Sequence, residues 1–194
     1  MSSRDKILAK IAQNQPEFSA LPDLKGLGNV YESPVQQFKT ILEGIGGKVI
    51  EFSDWSEIKS FVKEHFEANS RIISTLPELA EIAELNWAEN DPHTLENVDL
   101  TIIKGHLGVA ENSAIWITES LLQQRVSAFI PQYLAIVLDA KSLVSSMHEA
   151  YAQIGMEEYG FATFLAGPSK TADIEQSLVL GAHGARGLTV FLKV

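Results

Sequence analysis

The sequence predicts an α/β fold built on a mostly parallel sheet with both faces covered. One observation is that short, continuously apolar segments, typical of strands buried on both faces, recur along the chain. Another is that segments with helical periodicity alternate with these strands. Length and composition agree, because 194 residues with 45% hydrophobic and 21% charged side chains are typical of a globular domain.

The predicted helices are placed by their apolar spacing and by their end signals. Ser33 and Pro34 form an expected cap and first turn, Gly46 and Gly47 end that helix, and Asp54 opens the next one. The complete set of predicted helices is 4–12, 34–45, one opened by Asp54, 77–85, 121–129, 141–154 and 171–180.

The predicted strands are short apolar runs between these helices. They are KVIEF, RIIST, DLTIIK, AIWIT, YLAIVL, FATFLAG and LTVFLKV. We divide the chain into an N-terminal helix and arm, residues 1–32, and an α/β domain, residues 33–194. In such a sheet, ligands are expected outside the carboxyl ends of the strands.

Charge and composition exclude several classes of protein. The formal net charge of −10 disfavours nucleic acid and anionic membranes as partners, since both are bound through Lys and Arg. The chain has no cysteine, which excludes disulfides and an iron–sulfur cluster on its own thiolates. The start has no apolar core of a secretory signal, and no apolar run is long enough for membrane insertion, so we expect a cytoplasmic protein.

The segment from Gly167 to Glu175 is the first candidate site, because it follows a strand and opens a predicted helix. Ser169, Thr171 or Asp173 can cap that helix. Free backbone N–H groups at a helix start attract anions, and Lys170 adds a point charge. The spacing is not that of a Walker loop, and a well-capped turn without any ligand is the alternative.

The segment from Gly181 to Gly187 is the second candidate, since its three glycines allow sharp turns before the last strand. His183 can move protons near neutral pH, and Arg186 can clamp a carboxylate. A surface turn in which His183 bonds to backbone is the alternative.

The segment from Lys104 to Ser113 is the third candidate, between two predicted strands. Glu111 is of a type that serves as a base, a nucleophile or a ligand. His106 and Glu111 could share a metal ion, but two ligands without a third are weak evidence, so no metal site is assigned. A solvated glutamate at a strand start is the alternative.

The chain resembles a known family at these same residues. GPSKTADIEQSLVLGAHGARGLTVFLKV is similar to the C-terminal signature of the lactate utilisation protein C family, also called the LUD domain family. That signature usually reads GPSRTADIE, then a short apolar helix, then GVHGP and a final strand. Here Lys170 replaces the usual Arg, and Ala185 replaces the usual Pro. The segment 99–138 is also similar, but loosely.

The resemblance implies a fold like that of the sugar-phosphate isomerase and CoA-transferase group, a three-layer α/β sandwich with a mostly parallel central sheet. It also implies a role in oxidising L-lactate to pyruvate beside two partner proteins that carry iron–sulfur clusters, with no cofactor on this chain. The sequence leaves homo-oligomer formation open.

The middle segment departs from the family pattern. The family commonly has an A-E-T-G-T run, whereas this chain has Ala-Glu-Asn-Ser-Ala over residues 110–114. Glu111 is kept, but the Thr-Gly-Thr that can line a pocket is not. An Asp that family members often have five residues before this Glu is His106 here.

These observations leave three functional hypotheses. In the first, a subunit of a lactate-oxidising system binds a small carboxylate with Ser169, Lys170 and Thr171, His183 accepts the hydroxyl proton, and Glu111 positions His183 or completes the pocket. In the second, a stand-alone isomerase or transferase acts on a phosphorylated or acyl substrate, with Glu111 as base or nucleophile. In the third, the chain is a non-catalytic interaction module. If residues 111, 170 and 183 line one cleft, a ligand site becomes the default hypothesis, whereas side chains on separate surfaces would favour the third hypothesis.

Overall fold

The computed structural model describes residues 2–20, 22–23, 26–171 and 179–194. Its α-helices are α1 (Ser3–Gln13), α2 (Pro34–Gly44), α3 (Trp55–His65), α4 (Glu119–Leu122) and α5 (Met147–Ile154). Its strands are β1 (Lys48–Phe52), β2 (Ile72–Ser74), β3 (Leu100–Lys104), β4 (Leu107–Val109), β5 (Ile115–Thr118), β6 (Tyr133–Asp139), β7 (Leu143–Val144), β8 (Ala162–Leu165) and β9 (Gly187–Lys193).

The central sheet has five strands in the order β1-β9-β6-β3-β2, and every neighbouring pair is parallel. The longest strands, β6 and β9, lie side by side near its centre and pair in register from Tyr133 with Gly187 to Asp139 with Lys193. The predicted α/β fold with a mostly parallel central sheet is therefore confirmed.

A second sheet was not predicted. It has four strands in the order β7-β4-β5-β8, and β5 runs antiparallel to both β4 and β8. The sequence predicted one mostly parallel sheet and did not separate β5 and β8 from it. The turn between β4 and β5 is too short for a parallel crossover, so these two strands can pair only as an antiparallel hairpin.

The central strands send alternate side chains to two different cores. On one face, Leu134, Ile136 and Leu138 of β6 pack in a cluster with residues of α2 and β5. On the other face, Ala135 and Val137 join a cluster that includes residues of α3. The sheet is therefore covered on both faces, by α3 on one and by α2 with the second sheet on the other. The outer side of the second sheet packs on α5.

The helix starts follow the capping signals in the sequence. The Ser33 side chain accepts a hydrogen bond from the Gln36 N–H, with Pro34 as the first helical residue of α2. At α3, Asp54 and Glu57 form a reciprocal capping box. In α1, by contrast, no residue is buried. None of the helices in the described part of the chain has the length and apolar character needed to cross a bilayer.

Three predicted helices are shorter or different in the structure. Segment 77–85 has only a 3₁₀ turn, Pro77–Leu79, and segment 121–129 is split between α4 and the 3₁₀ turn Arg125–Ala128. Segment 141–154 contains β7 before α5 begins, because Ser146 caps the helix at that point. The predicted helix 171–180 lies largely outside the described residues, and its flanks are paired as strands, with a bridge between Lys170 and Leu180.

Candidate functional site

Two of the predicted segments meet at a cavity of about 320 Å³. Buried apolar residues line it, including Leu134 and Leu188, the second residues of β6 and β9. Exposed or half-buried polar residues also line it, namely Ser169, Lys170 and His183. The cavity therefore lies at the amino edge of the parallel sheet, and our expectation of a site at the carboxyl edge does not hold for it.

The segment after β8 is held by backbone hydrogen bonds to the segment before β9. Gly167 takes a left-handed conformation, with φ of 70°, and a Cβ there would lie 2.8 Å from the Ile45 side chain. Ser169 N–H then donates to the Ala185 carbonyl at 2.8 Å, and Gly181 N–H donates to the Ser169 carbonyl at 3.0 Å. This small hairpin brings Lys170 and His183 to the same cavity.

The predicted anion site at a helix start lies partly outside the described residues, and two of its described amides are already bonded. The N–H of Ser169 is bonded to Ala185, and the N–H of Thr171 donates to the Val179 carbonyl at 3.2 Å. These two amides cannot bind an anion without breaking the hairpin.

Other backbone amides around the cavity are available. Within the described part of the chain, the N–H groups of Gly167, Lys170, His183 and Gly184 donate no hydrogen bond. All four residues line the cavity. Backbone amides of this kind offer donors to a negatively charged ligand even without a helix start.

The charges that the described residues place at the cavity have one sign. Lys170 and His183 are its ionisable lining residues, and no Asp or Glu is among the described residues that line it. The Lys170 ammonium forms no ion pair, and no hydrogen bond reaches the His183 ring, within the described residues. In a chain with a net charge of −10, the described lining of this cavity is therefore basic, while Asp173 and Glu175 lie outside the described residues.

The remaining C-terminal candidates point elsewhere or are not described. The Thr171 hydroxyl is bonded to the backbone of Val179, at 3.2 Å from its nitrogen. The Arg186 guanidinium carbon lies 5.0 Å from the centre of the Tyr133 ring, which is a cation–π contact, and Arg186 does not line the cavity. Asp173 lies outside the described residues.

Glu111 does not reach this cavity. Its carboxylate accepts a hydrogen bond of 2.7 Å from the Met147 N–H, at the start of α5, and its own N–H donates to the Ser145 carbonyl. A carboxylate at a helix N-terminus satisfies a free amide and the helix dipole. The hypothesis that Glu111 positions His183 is therefore contradicted by this geometry, and residues 111, 170 and 183 do not line one cleft.

His106 belongs to a separate hydrogen-bonded chain. Its Nε2 lies 2.8 Å from the Thr118 hydroxyl, which lies 2.7 Å from the Ser120 hydroxyl. Partial burial lowers the pKa of His106 below its ordinary value. Since His106 and Glu111 lie at opposite ends of β4 and bond to different groups, they do not share a metal site. No group of three potential metal-binding side chains occurs among the described residues.

Sequence reasoning missed the apolar floor of the cavity. Leu134 and Leu188 lie in segments predicted to be buried strands, and Phe129 was predicted to end a short helix. No local signal separates a strand residue that faces a cavity from one that faces the core.

A larger cavity of about 590 Å³ lies beside this one, and Leu134 and Leu188 line both. Its lining combines aromatic rings with the basic Lys48 and the acidic Glu67 and Asp99. Because these charges oppose one another, the smaller cavity is the better candidate for an anion.

Comparison with known proteins agrees with this architecture. The profile of the family described as the LUD domain matches residues 88–192. An uncharacterized protein of Neisseria meningitidis is 24% identical over 98% of this chain and 93% of its own length. Lactate utilization protein C of Oceanobacillus iheyensis is 25% identical over 96% of each chain.

A solved structure shares the fold. The crystal structure of a DUF162 family protein from Deinococcus radiodurans superposes with a TM-score of 0.64 at 18% identity, covering 83% of this chain and 96% of that one. At this identity the likeness concerns the fold alone.

Proposed function

The chain belongs to the LUD domain family, and from that premise we propose that it is a component of an L-lactate utilisation system that binds a small carboxylate. The name lactate utilization protein C, borne by relatives in Oceanobacillus iheyensis and Bacillus pumilus, supports the system. The binding site in this proposal is the 320 Å³ cavity lined by Lys170 and His183.

One observation supports this cavity as the binding site more strongly than the other observations do. Lys170 and His183 lie on the same cavity, the described lining has no carboxylate, and neither side chain has a charged partner among the described residues. A basic group without a partner beside free amides is what a carboxylate ligand requires.

The residues have distinct roles in this proposal. The substrate carboxylate accepts hydrogen bonds from the Lys170 ammonium and from the free amides of Gly167 and Gly184. The Ser169 hydroxyl adds a neutral donor. His183, when neutral, accepts the proton of the substrate hydroxyl.

In the proposal the electron acceptor for the oxidation lies outside this chain. Conversion of L-lactate to pyruvate breaks the hydroxyl O–H bond and the C2–H bond, and it releases two electrons and two protons. His183 takes the hydroxyl proton, the proton from C2 passes to water, and the two electrons pass to iron–sulfur clusters on partner proteins. This chain has no cysteine with which to hold such a cluster.

Calorimetric titration with L-lactate and with pyruvate tests the binding site. We expect Lys170→Ala to weaken binding about tenfold or more, since a hydrogen bond to a charged group contributes about 1.5–3 kcal/mol. Lys48→Ala is the matched control, because it removes the same charge from the neighbouring cavity. Equal affinity of the wild type and Lys170→Ala, or an equal loss of affinity in both variants, would contradict the proposed binding site.

Reconstitution tests the dependence on partners. The purified chain is mixed with the iron–sulfur lactate utilisation proteins of the same organism, and lactate-dependent dye reduction is followed. We expect turnover only in the mixture, with a lower rate for His183→Gln. Full turnover by the isolated chain, or by the partners without it, would contradict the proposed role.

A further inference from the structure

The cavity has two chemically different parts, and lactate can use only one of them. Its rim consists of the exposed Lys170 and His183 with the half-buried Ser169 and Gly184. Its floor is apolar and consists of the buried Ala128, Leu134, Ala185 and Leu188 with the partly buried Leu165.

The floor is continuous with the hydrophobic core. Leu134 and Leu188 are 4% and 3% exposed, and both belong to the core cluster between α2, the central sheet and β5. Ala128 and Ala185 are members of the same cluster, and their small side chains leave room above it. A cavity floor of this composition gains free energy when apolar ligand atoms replace water.

We infer that the cavity takes a monocarboxylate with an extended apolar part, the carboxylate on the rim and the alkyl or aryl group on the floor. The inference rests on the proposed function, because it uses the same anion site, and it specifies the class of ligand more narrowly. Lactate has a single methyl group beyond its reacting carbon, so it leaves most of a 320 Å³ cavity filled with water. A 2-hydroxy or 2-oxo acid with a longer side chain occupies both parts.

The floor and the rim point to a ligand only in combination. An apolar floor alone also fits an imperfectly filled core, and exposed donors alone also fit an ordinary hydrated surface. The donors at the rim are not bonded, since Lys170 has no ion pair among the described residues and the amides of Lys170, His183 and Gly184 donate to no group there. The combination of unbonded donors and an apolar floor fits an amphipathic anion.

Calorimetry with a homologous series of ligands tests the inference. The series is L-lactate, 2-hydroxybutanoate, 2-hydroxypentanoate and 2-hydroxyhexanoate, each titrated into the full chain. We expect the dissociation constant to fall about fourfold for each added methylene until the cavity is full. Lys170→Ala is expected to weaken all members by a similar factor, because it alters only the carboxylate end.

A variant of the cavity floor separates the contribution of the apolar floor to binding from that of the polar rim. Ala128→Leu fills the floor and is expected to abolish the dependence of the affinity on chain length. Thermal unfolding shows whether the variant is folded. Independently of any variant, methyl-labelled wild-type protein is titrated by NMR, and the methyl groups of Leu134 and Leu188 are expected to shift with 2-hydroxyhexanoate much more than with lactate.

The outcomes distinguish the inference from the proposed function. Binding of lactate with no gain along the series, or unshifted floor methyl groups at saturation with the longest acid, would overturn the inference and leave the proposed function standing. Failure of every acid in the series to bind would overturn both. A gain of about fourfold per methylene that Ala128→Leu removes supports the inference.

Discussion

Two loop regions were candidates for the same site, and the structure uses their polar side chains in opposite ways. In the β4–β5 hairpin, Glu111 bonds to the start of α5, Asn112 accepts from the Ala114 N–H, and His106 bonds to Thr118. In the rim of the cavity, Lys170 and His183 form no ion pair or ring hydrogen bond within the described residues.

The difference separates polar side chains that are bonded within the fold from polar side chains that are not. A polar side chain that is fully bonded within its own fold stabilises that fold and has little left to offer a ligand. A basic side chain without a protein partner beside a cavity is hydrated when no ligand is bound, and its donors remain available to one. Glu111 matches its family motif, and yet its carboxylate serves as a helix cap.

A substitution in the small hairpin at the rim of the cavity is expected to have the largest effect on stability and on binding. Gly181 has φ of +80°, and a Cβ there would lie 2.5 Å from the Arg186 Cβ. We expect Gly181→Ala to lower the free energy of unfolding by about 3 kcal/mol, from left-handed strain and overpacking together, and to weaken lactate binding.

The matched control for this variant is Gly155→Ala, at a residue with φ of +60° and open space around it. Gly155 has ψ of −138°, a conformation almost restricted to glycine, so strain alone predicts a loss of about 1–3 kcal/mol there, with unchanged lactate affinity. Urea denaturation and calorimetry measure both quantities. Equal destabilisation in the two variants would show that the Gly181–Arg186 contact does not constrain the rim.

Substitution of Glu111 tests the opposite expectation, namely that a side chain bonded within the fold contributes to stability and not to lactate binding. Glu111→Ala removes the carboxylate that binds the Met147 N–H, and we expect the free energy of unfolding to fall by about 1 kcal/mol. Lactate affinity is expected to stay at the wild-type value, whereas Lys170→Ala should lower affinity without changing stability. A large loss of lactate binding in folded Glu111→Ala would mean that the hairpin does contribute to the site.

The smallest expected effect is on the free energy of unfolding at acidic pH, through His106 beside the β4–β5 hairpin. Burial lowers the pKa of His106, so the folded chain binds this proton less readily than the unfolded chain does. As the pH falls below the ordinary imidazole pKa, the unfolded chain takes up more protons, and the free energy of unfolding decreases until the pH passes the folded pKa.

Comparison of the wild type with His106→Asn isolates this contribution, because the other histidines are unchanged. We expect the variant to lose less stability than the wild type between neutral and mildly acidic pH in urea denaturation. An NMR titration that places the His106 pKa at or above its ordinary value would refute the expectation.

The sequence predicted which residue types form the candidate site, but it did not predict the geometry of that site. Local sequence is enough to predict the basic character of Lys170 and His183 and the tight turns around them. Their amides were expected to be free at a helix start, but strand-like pairing between residues 169–171 and 179–181 determines which are bonded.

The sequence by itself determined the elements whose signals are local. The helices α2 and α3 begin at their capping residues, and the long strands β6 and β9 lie where continuous apolar runs predict them. Caps and apolar periodicity act between residues a few positions apart, so a single segment contains the whole signal.

Only the tertiary structure decided how these elements combine. The pairing of β5 with β8, the three-residue β4 and the two-residue β7 depend on partners far along the chain. The same holds for the cavity, where Leu134 and Leu188 become a floor because Lys170 and His183 are brought above them. Contacts between distant segments depend on how whole surfaces fit together, and that fit is not encoded in any one stretch of residues.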